Sequence, residues 1–174
     1  KTLIETGFQI SELHDFVFME TPILKPAALF ESGIGLSTDI VEKQMYIFKT
    51  KSGERVALRP EGTASVMRSY LEHHLGYYSS PLKAFYYGPM FRYEKPQAGR
   101  YRQFHLWGYE IIGDDDPFYD VQIILVFLNF LKVLGIKEMK LLVNTVGCRV
   151  CRPNYKKKLV NFYKNHKKEM CEDC

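Results

Sequence analysis

One group of charged and aromatic residues has the side-chain types that bind a nucleotide. The planar guanidinium of arginine matches phosphate oxygens, an aromatic ring stacks on a base, and a carboxylate accepts a hydrogen bond from an exocyclic amine. The same types are also typical of a surface hairpin with cross-strand salt bridges, each of which contributes little to stability. The residues in this group are Arg92, Glu94, Arg100, Arg102, Phe104 and Glu110.

Two long segments rich in aromatic and β-branched residues must position this group. They are Lys83–Tyr93 and Tyr101–Ile112, and Pro96 and Gly99 mark the loop between them. We expect the two segments to pair as antiparallel strands. Because side chains alternate along a strand, one face of this hairpin should gather the following residues, together with Leu106 and Gly108: Arg92, Glu94, Arg102, Phe104 and Glu110.

A second candidate site is the corner Arg59–Thr63, where a predicted strand ends and a predicted helix begins. Glu61 has the charge to bind an ammonium group, and the Thr63 hydroxyl can add a hydrogen bond. The alternative is an acidic first turn that only stabilises the helix N-terminus. The residue types alone leave both interpretations open.

Four cysteines form a third pattern near the end of the chain. Cys148 and Cys151 make one CxxC pair, and Cys171 and Cys174 make another after nineteen intervening residues. Two such pairs at this separation are typical of a structural four-cysteine zinc site in an intracellular protein. The alternative is four reduced thiols in a mobile insertion.

The helix, strand and turn signals along the rest of the chain predict a mixed α and β protein. Asp116 should cap a buried helix that ends near Leu134, with Pro117 in its first turn. Hairpin turn chemistry at residues 51–53 predicts a second hairpin. The other predicted elements are helices at Lys1–Leu13, Glu61–His74 and Pro153–Lys168, and strands at Phe16–Met19, Met45–Phe48, Arg55–Leu58 and Met139–Val143.

Composition and charge narrow the class of protein. The chain has 174 residues, 46% of them hydrophobic and 25% charged, as in a globular domain. Residues 148–174 carry eight Lys or Arg against three Asp or Glu, a local charge of +5 that suits either phosphates or a solvated helix face. The longest apolar run, Val121–Leu134, is too short for a membrane span, and no signal peptide is evident at the start. We expect a cytoplasmic protein with no membrane partner.

Three stretches resemble the histidyl-tRNA synthetase family. The segment from Thr21-Pro22 to Val41 is similar to its motif 1, and Leu58-Arg59-Pro60-Glu61-Gly62-Thr63-Ala64 is similar to its histidine-binding corner. Gly88–His105 matches its motif 2 almost letter for letter over eighteen residues, which is far more specific than a short pattern. The similarity extends from about Gly7 to Cys174.

The resemblance implies a fold and a reaction. It implies an α+β fold, with the class II antiparallel sheet flanked by helices, in residues 1–147. The small Cys-rich and Lys-rich zinc knuckle expected in residues 148–174 rests on the cysteine spacing, and the resemblance permits a metal there without requiring one. The resemblance implies a homodimer formed through motif 1 around Pro22, and ATP-dependent activation of L-histidine followed by transfer to tRNA(His). ATP and Mg2+ would be the accompanying groups, although no Mg2+ ligand can be named, and the cysteine spacing adds a structural Zn2+.

The resemblance also implies roles for individual residues. Arg92 would be the catalytic cation that holds the α-phosphate and the histidine carboxylate. Glu94 would bind the adenine amine, Phe104 would stack on adenine, and Arg100 would reach the outer phosphates. The residues that would bind histidine are Glu61, Gly62, Thr63, Arg92, Leu106 and Glu110.

The sequence departs from the family pattern in two ways. Leu106 stands where the family usually has glutamine, which puts one polar contact to histidine in doubt. The chain also ends before the expected motif 3 and anticodon-binding domain, so we expect a catalytically incomplete fragment.

The main alternative function is the non-catalytic regulatory paralogue of ATP phosphoribosyltransferase, although the form of Arg59–Thr63 favours the enzyme. A zinc-stabilised nucleic-acid-binding module would explain only Cys148–Cys174.

Overall fold

A computed structural model describes residues 2–34, 44–95, 97–144 and 147–169. The chain divides into two compact units, Lys1–Lys137 and Glu138–Cys174. The helices are α1 Thr2–Leu13, α2 Ala27–Ile34, α3 Thr63–Glu72, α4 Pro117–Val133 and α5 Cys151–Asn165. The strands are β1 Val17–Phe18, β2 Leu24–Pro26, β3 Ile47–Lys49, β4 Arg55–Leu58, β5 Leu82–Phe91 and β6 Gln103–Ile112.

The strands of the first unit form two three-stranded sheets. One sheet has the order β1-β5-β6, in which β5 and β6 are antiparallel and the short β1 runs parallel to β5. The other has the order β2-β4-β3 and is antiparallel throughout. The expected pairing of the two long segments is confirmed, with Met90 opposite Phe104 and Ala84 opposite Glu110.

Local sequence signals explain how several elements begin and end. The Asp116 side chain accepts a hydrogen bond from the Phe118 amide at 2.8 Å, so the predicted cap of α4 is confirmed, with Pro117 in the first turn. Gly135 follows α4 with φ of +85°, a conformation that glycine adopts without strain. Gly53 has φ of +88° in the turn between β3 and β4, which confirms the second hairpin.

The main core lies on one face of the β5-β6 hairpin. Phe85 is fully buried there and stacks on Trp107 with ring centroids 5.5 Å apart. Helices α1 and α4 cover this face, and the Trp107 ring lies so close to Gly7 that a Cβ atom there would collide with it. Trp107 therefore packs against this core. The buried members of this core are Ile10, Phe16, Phe85, Val126 and Phe130.

Two expectations about secondary structure need correction. Residues 139–143 are not a strand: they have no ladder partner among the described residues, and β-propensity without a neighbouring strand does not form a sheet. The apolar helix α4 exists, but it is not fully buried. Val126 and Phe130 face the core, whereas Phe118, Val121, Leu125 and Phe127 are more than half exposed.

The structure gives no indication of a transmembrane helix. Within the described ranges, no helix combines the length and the apolar character that a bilayer crossing requires.

Candidate functional site

The second face of the β5-β6 hairpin carries the predicted site residues. The register places Glu110 opposite Ala84, Gly108 opposite Tyr86, and Phe104 opposite Met90. Just past the end of β5, the Arg92 amide donates a hydrogen bond to the Arg102 carbonyl at 2.9 Å. The alternation read from the sequence is therefore confirmed for this hairpin, whose opposite face packs into the main core.

Arg92 lies at the end of this face, next to the corner that precedes α3. Its Nε donates a hydrogen bond to the Pro60 carbonyl at 2.9 Å, and its guanidinium carbon lies 5.3 Å from the centre of the Phe104 ring. These two contacts orient the guanidinium while its remaining N–H groups keep the capacity to donate. The arrangement suits an arginine that binds an anion above an aromatic ring.

Arg59 is a buried cation that connects three segments behind this corner. Its side chain is only 5% exposed. Nε donates to the Pro89 carbonyl at 2.9 Å, and one terminal nitrogen donates to the Thr21 carbonyl at 2.6 Å and to the Thr21 hydroxyl at 3.2 Å. Burial lowers the pKa of Arg59, while Glu20 acts in the opposite direction. The charge is therefore accommodated by hydrogen bonds to oxygen atoms, as a buried cation requires.

Thr63 and Glu110 meet across the gap between α3 and the hairpin. The Thr63 hydroxyl donates to a Glu110 carboxylate oxygen at 2.7 Å. Burial raises the pKa of Glu110, hydrogen bonds from Thr63 and Tyr86 lower it, and the nearby Glu61 carboxylate raises it. The two residues, 47 positions apart in sequence, thus form one polar cluster, whose carboxylate is partly withdrawn from water.

Glu61 caps helix α3 from the position before Gly62. A Glu61 carboxylate oxygen accepts a hydrogen bond from the Ala64 amide at 3.0 Å. This contact is the helix-stabilising role that the sequence left open. The carboxylate has further lone pairs, so the cap does not exhaust its capacity to accept hydrogen bonds.

The loop between β5 and β6 brings Glu94 and Arg100 together. Their side chains form an ion pair at 3.2 Å, in which the arginine is 59% exposed. The Arg102 guanidinium lies 4.3 Å from the centre of the Tyr93 ring, and its Nε is 3.4 Å from the Glu94 carbonyl. The Glu94–Arg100 pair is therefore exposed on one side only, because the Glu94 side chain is 16% exposed.

Leu106 packs on the same face between the two groups of polar residues. It joins the apolar cluster around Val66, Tyr86 and Met90, and Phe104 packs against the same cluster. Sequence reasoning missed Tyr86 in this region, and it named Arg59 and Pro60 as part of the corner without giving either residue a role of its own. Strand alternation alone would have put Tyr86 on the site face, six residues before Arg92.

A cleft of about 670 Å³ opens beside the corner, between α2 and α3. Glu61 and Thr63 line it on one side, and Leu29, Met67 and Leu71 supply apolar lining. Glu61 and Thr63, two of the six residues expected to bind histidine, therefore line a cavity large enough for a small molecule, whereas Arg92, Leu106 and Glu110 are not among its lining residues.

The first two cysteines lie at the start of α5, in the second unit. Their Sγ atoms are 3.4 Å apart and exposed, and the Cys148 amide lies 3.0 Å from the Cys151 sulfur. Backbone hydrogen bonds from Cys151 and Val150 lower the pKa of the Cys148 thiol. Cys171 and Cys174 lie outside the described residues, and no cluster of three or more potential metal ligands occurs among the described ones.

Comparison with known proteins identifies the same family that the motifs resemble. A family model described as histidyl-tRNA synthetase matches residues 17–150. A histidine–tRNA ligase of Halothermothrix orenii is 45% identical over 170 residues, which are 98% of this chain and 41% of that protein.

Solved structures support the fold. The structure of apo Staphylococcus aureus histidyl-tRNA synthetase matches with a TM-score of 0.74 at 33% identity, over 99% of this chain and 40% of that one. A Bacillus halodurans protein described as an ATP phosphoribosyltransferase regulatory subunit/histidyl-tRNA synthetase matches at a TM-score of 0.65 over 78% of this chain and 34% of that one. Its 24% identity supports the fold alone. The chain thus spans about 40% of the length of these relatives.

Proposed function

Because the chain belongs to the histidyl-tRNA synthetase family, we propose that the full-length protein containing it activates L-histidine with ATP and transfers the histidyl group to tRNA(His). The observation that carries this proposal is the grouping of an arginine above an aromatic ring with a Thr63–Glu110 cluster on one sheet face. These two groups have the chemistry for a nucleotide and for an amino acid, respectively.

Histidine would bind at the end of the sheet face where strand β6 lies beside the corner Arg59–Thr63. Glu61 and Thr63 would hold the amino group, with Gly62 between them and Glu110 lining the same pocket. The support is the short hydrogen bond from Thr63 to Glu110, together with the cleft that Glu61 and Thr63 line and Glu110 does not. Leu106 would contribute an apolar contact, since its side chain packs beside Tyr86.

ATP would bind at the Arg92 end of the same face. A carboxylate oxygen of histidine would attack the α-phosphorus, and the bond from that phosphorus to pyrophosphate would break. Arg92 would stabilise the negative charge on the phosphoryl oxygens, because its guanidinium is already oriented by Pro60 and Phe104. Mg2+ would neutralise phosphate charge in this reaction, with ligands that we do not assign.

Phe104, Glu94 and Arg100 would complete the ATP site. Phe104 would stack on adenine and Glu94 would accept from its amine, whereas Arg100 would bind the outer phosphates. The last two roles require the Glu94–Arg100 ion pair to open, because the adenine and the outer phosphates are opposite ends of ATP. Arg100 is exposed and can move away from Glu94, and the adenine amine would then replace it as the partner of the mostly buried Glu94 carboxylate.

tRNA would contact the basic helix α5. This helix carries five Lys or Arg and no Asp or Glu, and all of its residues are exposed. Lysine and arginine side chains on such a surface attract a phosphate backbone. The basic residues are Arg152, Lys156, Lys157, Lys158 and Lys164.

A homodimer would form through motif 1 around Pro22. Apolar side chains in the small sheet support this proposal, because Ile23, Leu24 and Phe48 are 40%, 53% and 48% exposed. Burial of such residues against a second copy would remove apolar surface from water.

Zinc would bind Cys148 and Cys151 together with Cys171 and Cys174. Two tetrahedral thiolate ligands at about 2.3 Å from zinc are roughly 3.8 Å apart, close to the 3.4 Å between the first two sulfurs. Four thiolates would close the coordination shell, so zinc would stabilise the second unit and take no part in the reaction.

The test of the proposed function is histidine-dependent exchange of pyrophosphate into ATP by the full-length protein. Exchange that requires L-histidine, followed by charging of tRNA(His), is the expected result. The regulatory alternative predicts no histidine-dependent exchange, and that outcome would overturn the proposal.

A further inference from the structure

Tyr86 occupies a slot that two glycines leave open beside the Thr63–Glu110 cluster. It is 8% exposed and lies directly opposite Gly108 in the β5-β6 ladder. A Cβ atom built on Gly108 would collide with the ring and hydroxyl of Tyr86, and one built on Gly62 would collide with the other edge of the ring. The absence of side chains at Gly62 and Gly108 therefore makes room for this ring.

The glycine contacts also fix where the hydroxyl of Tyr86 lies. Gly62 immediately precedes Thr63, and Gly108 is two residues before Glu110 on the same strand face. The hydroxyl lies where a Cβ atom on Gly108 would be, so it is on the same side of the sheet as the Thr63–Glu110 hydrogen bond. Hydrogen bonding from the Tyr86 hydroxyl is one of the causes that lower the pKa of the Glu110 carboxyl.

A neutral hydroxyl at this position favours the ionised form of the carboxyl beside it. Burial raises the pKa of Tyr86, so the hydroxyl keeps its proton near neutral pH and can donate it. A hydrogen bond from this side chain lowers the pKa of Glu110, which burial and Glu61 raise. The charges of Glu110 and Glu61 also raise the pKa of Tyr86, whereas the charge of Arg59 lowers it. The hydroxyl thus opposes the protonation that burial would otherwise favour.

We propose that Tyr86 is a positioning residue for the amino-acid pocket, held between Gly62 and Gly108 so that its hydroxyl orients the Glu110 carboxylate together with Thr63. Tyr86 acts through Glu110 and needs no contact with the reacting atoms. This inference rests on the proposed function, because it assigns Glu110 to the histidine pocket.

The purely structural role of Tyr86 would be that of an apolar ring in the cluster with Val66 and Met90. Phenylalanine would fill that role equally well, because it keeps the ring between the two glycines. The hydroxyl alone separates the two roles. Tyr86→Phe in the full-length protein is therefore the informative variant, and Tyr87→Phe is its matched control, since Tyr87 lies on the opposite face and stacks on His105.

The experiment measures histidine-dependent ATP–pyrophosphate exchange as a function of substrate concentration and pH. We expect Tyr86→Phe to raise the KM for histidine roughly 5- to 10-fold while the KM for ATP stays the same. The acidic limb of kcat/KM for histidine should also move to higher pH, by about half a unit or more, because Glu110 loses a hydrogen bond to its ionised form. Tyr87→Phe should leave the KM values and the pH profile unchanged.

A second variant tests the space between Gly62 and Gly108 that holds the Tyr86 ring. Gly108→Ala adds a Cβ where the Tyr86 ring lies, so it should raise the histidine KM at least as much as Tyr86→Phe, and the double variant should be less than additive. If wild-type protein shows no histidine-dependent exchange, the proposed function itself fails. If wild type is active and Tyr86→Phe keeps the wild-type histidine KM and pH profile, the positioning role is overturned and Tyr86 is a packing residue only.

Discussion

The Nε of Arg92 donates a hydrogen bond to the carbonyl oxygen of Pro60 at 2.9 Å, across 32 positions of sequence. This bond joins the end of strand β5 to the corner that begins helix α3. Arg59, the residue before Pro60, is buried and bonded to Thr21 and Pro89, so the carbonyl that orients Arg92 belongs to a well-anchored segment. The proposed catalytic arginine is therefore held before any substrate binds.

We predict that Arg92→Ala in the full-length protein lowers the rate of histidyl-adenylate formation by roughly 10²-fold or more, the effect of losing one preorganised charge. Single-turnover measurement of adenylate formation checks this prediction. Arg55→Ala is the control, since the Arg55 side chain is 53% exposed and forms an ion pair with Glu31. An Arg92→Ala enzyme with the wild-type rate would remove Arg92 from the mechanism.

For the corner, we predict that Glu61→Gln raises the KM for histidine much more than the KM for ATP. Glutamine keeps an oxygen that can accept from the Ala64 amide, so α3 stays capped, but the charge that would bind the amino group is lost. Steady-state exchange kinetics provide the measurement, with Glu54→Gln in the exposed hairpin turn as control. Equal increases in both KM values would argue against contact with the amino group.

Leu106 allows a gain-of-contact experiment. We predict that Leu106→Gln lowers the histidine KM about 3- to 10-fold, because a polar side chain at this position adds one hydrogen bond to the bound amino acid. Leu106→Met, which keeps the apolar character, should leave the KM close to its wild-type value. An increase in KM with Leu106→Gln would mean that the apolar cluster with Tyr86 and Met90 matters more than the added hydrogen bond.

The four cysteines predict that the purified protein contains zinc. Purified protein should contain about one zinc per chain, and a chelator should loosen Cys148–Cys174 while leaving the β5-β6 hairpin intact. Hydrogen exchange before and after chelation measures both regions. The physical reason is that α5 has no buried residue, so core packing contributes little to its order. Metal-free protein with full protection in α5 would contradict the prediction.

Much of the β5-β6 hairpin was predictable, because alternation along a strand reports which residues share a face. Arg92, Phe104 and Glu110 were assigned to one face from the sequence, and the register confirms that assignment. The strand expected at residues 139–143 shows the limit of such reasoning. A β-prone segment becomes a strand only beside a partner, and local composition does not specify that partner.

The sequence by itself determined the local features: the Asp116 cap of α4, the turn at Gly53, the long hairpin and the motifs that identify the family. Each of these depends on residues within one element or on two adjacent strands.

Only the tertiary structure decided which distant residues meet. It brought Thr63 to Glu110, Pro60 to Arg92, and Tyr86 into the slot between Gly62 and Gly108. These contacts depend on how helix α3 packs against the sheet. Side-chain periodicity shows which residues of an element share a face, but it does not specify which other element packs against that face.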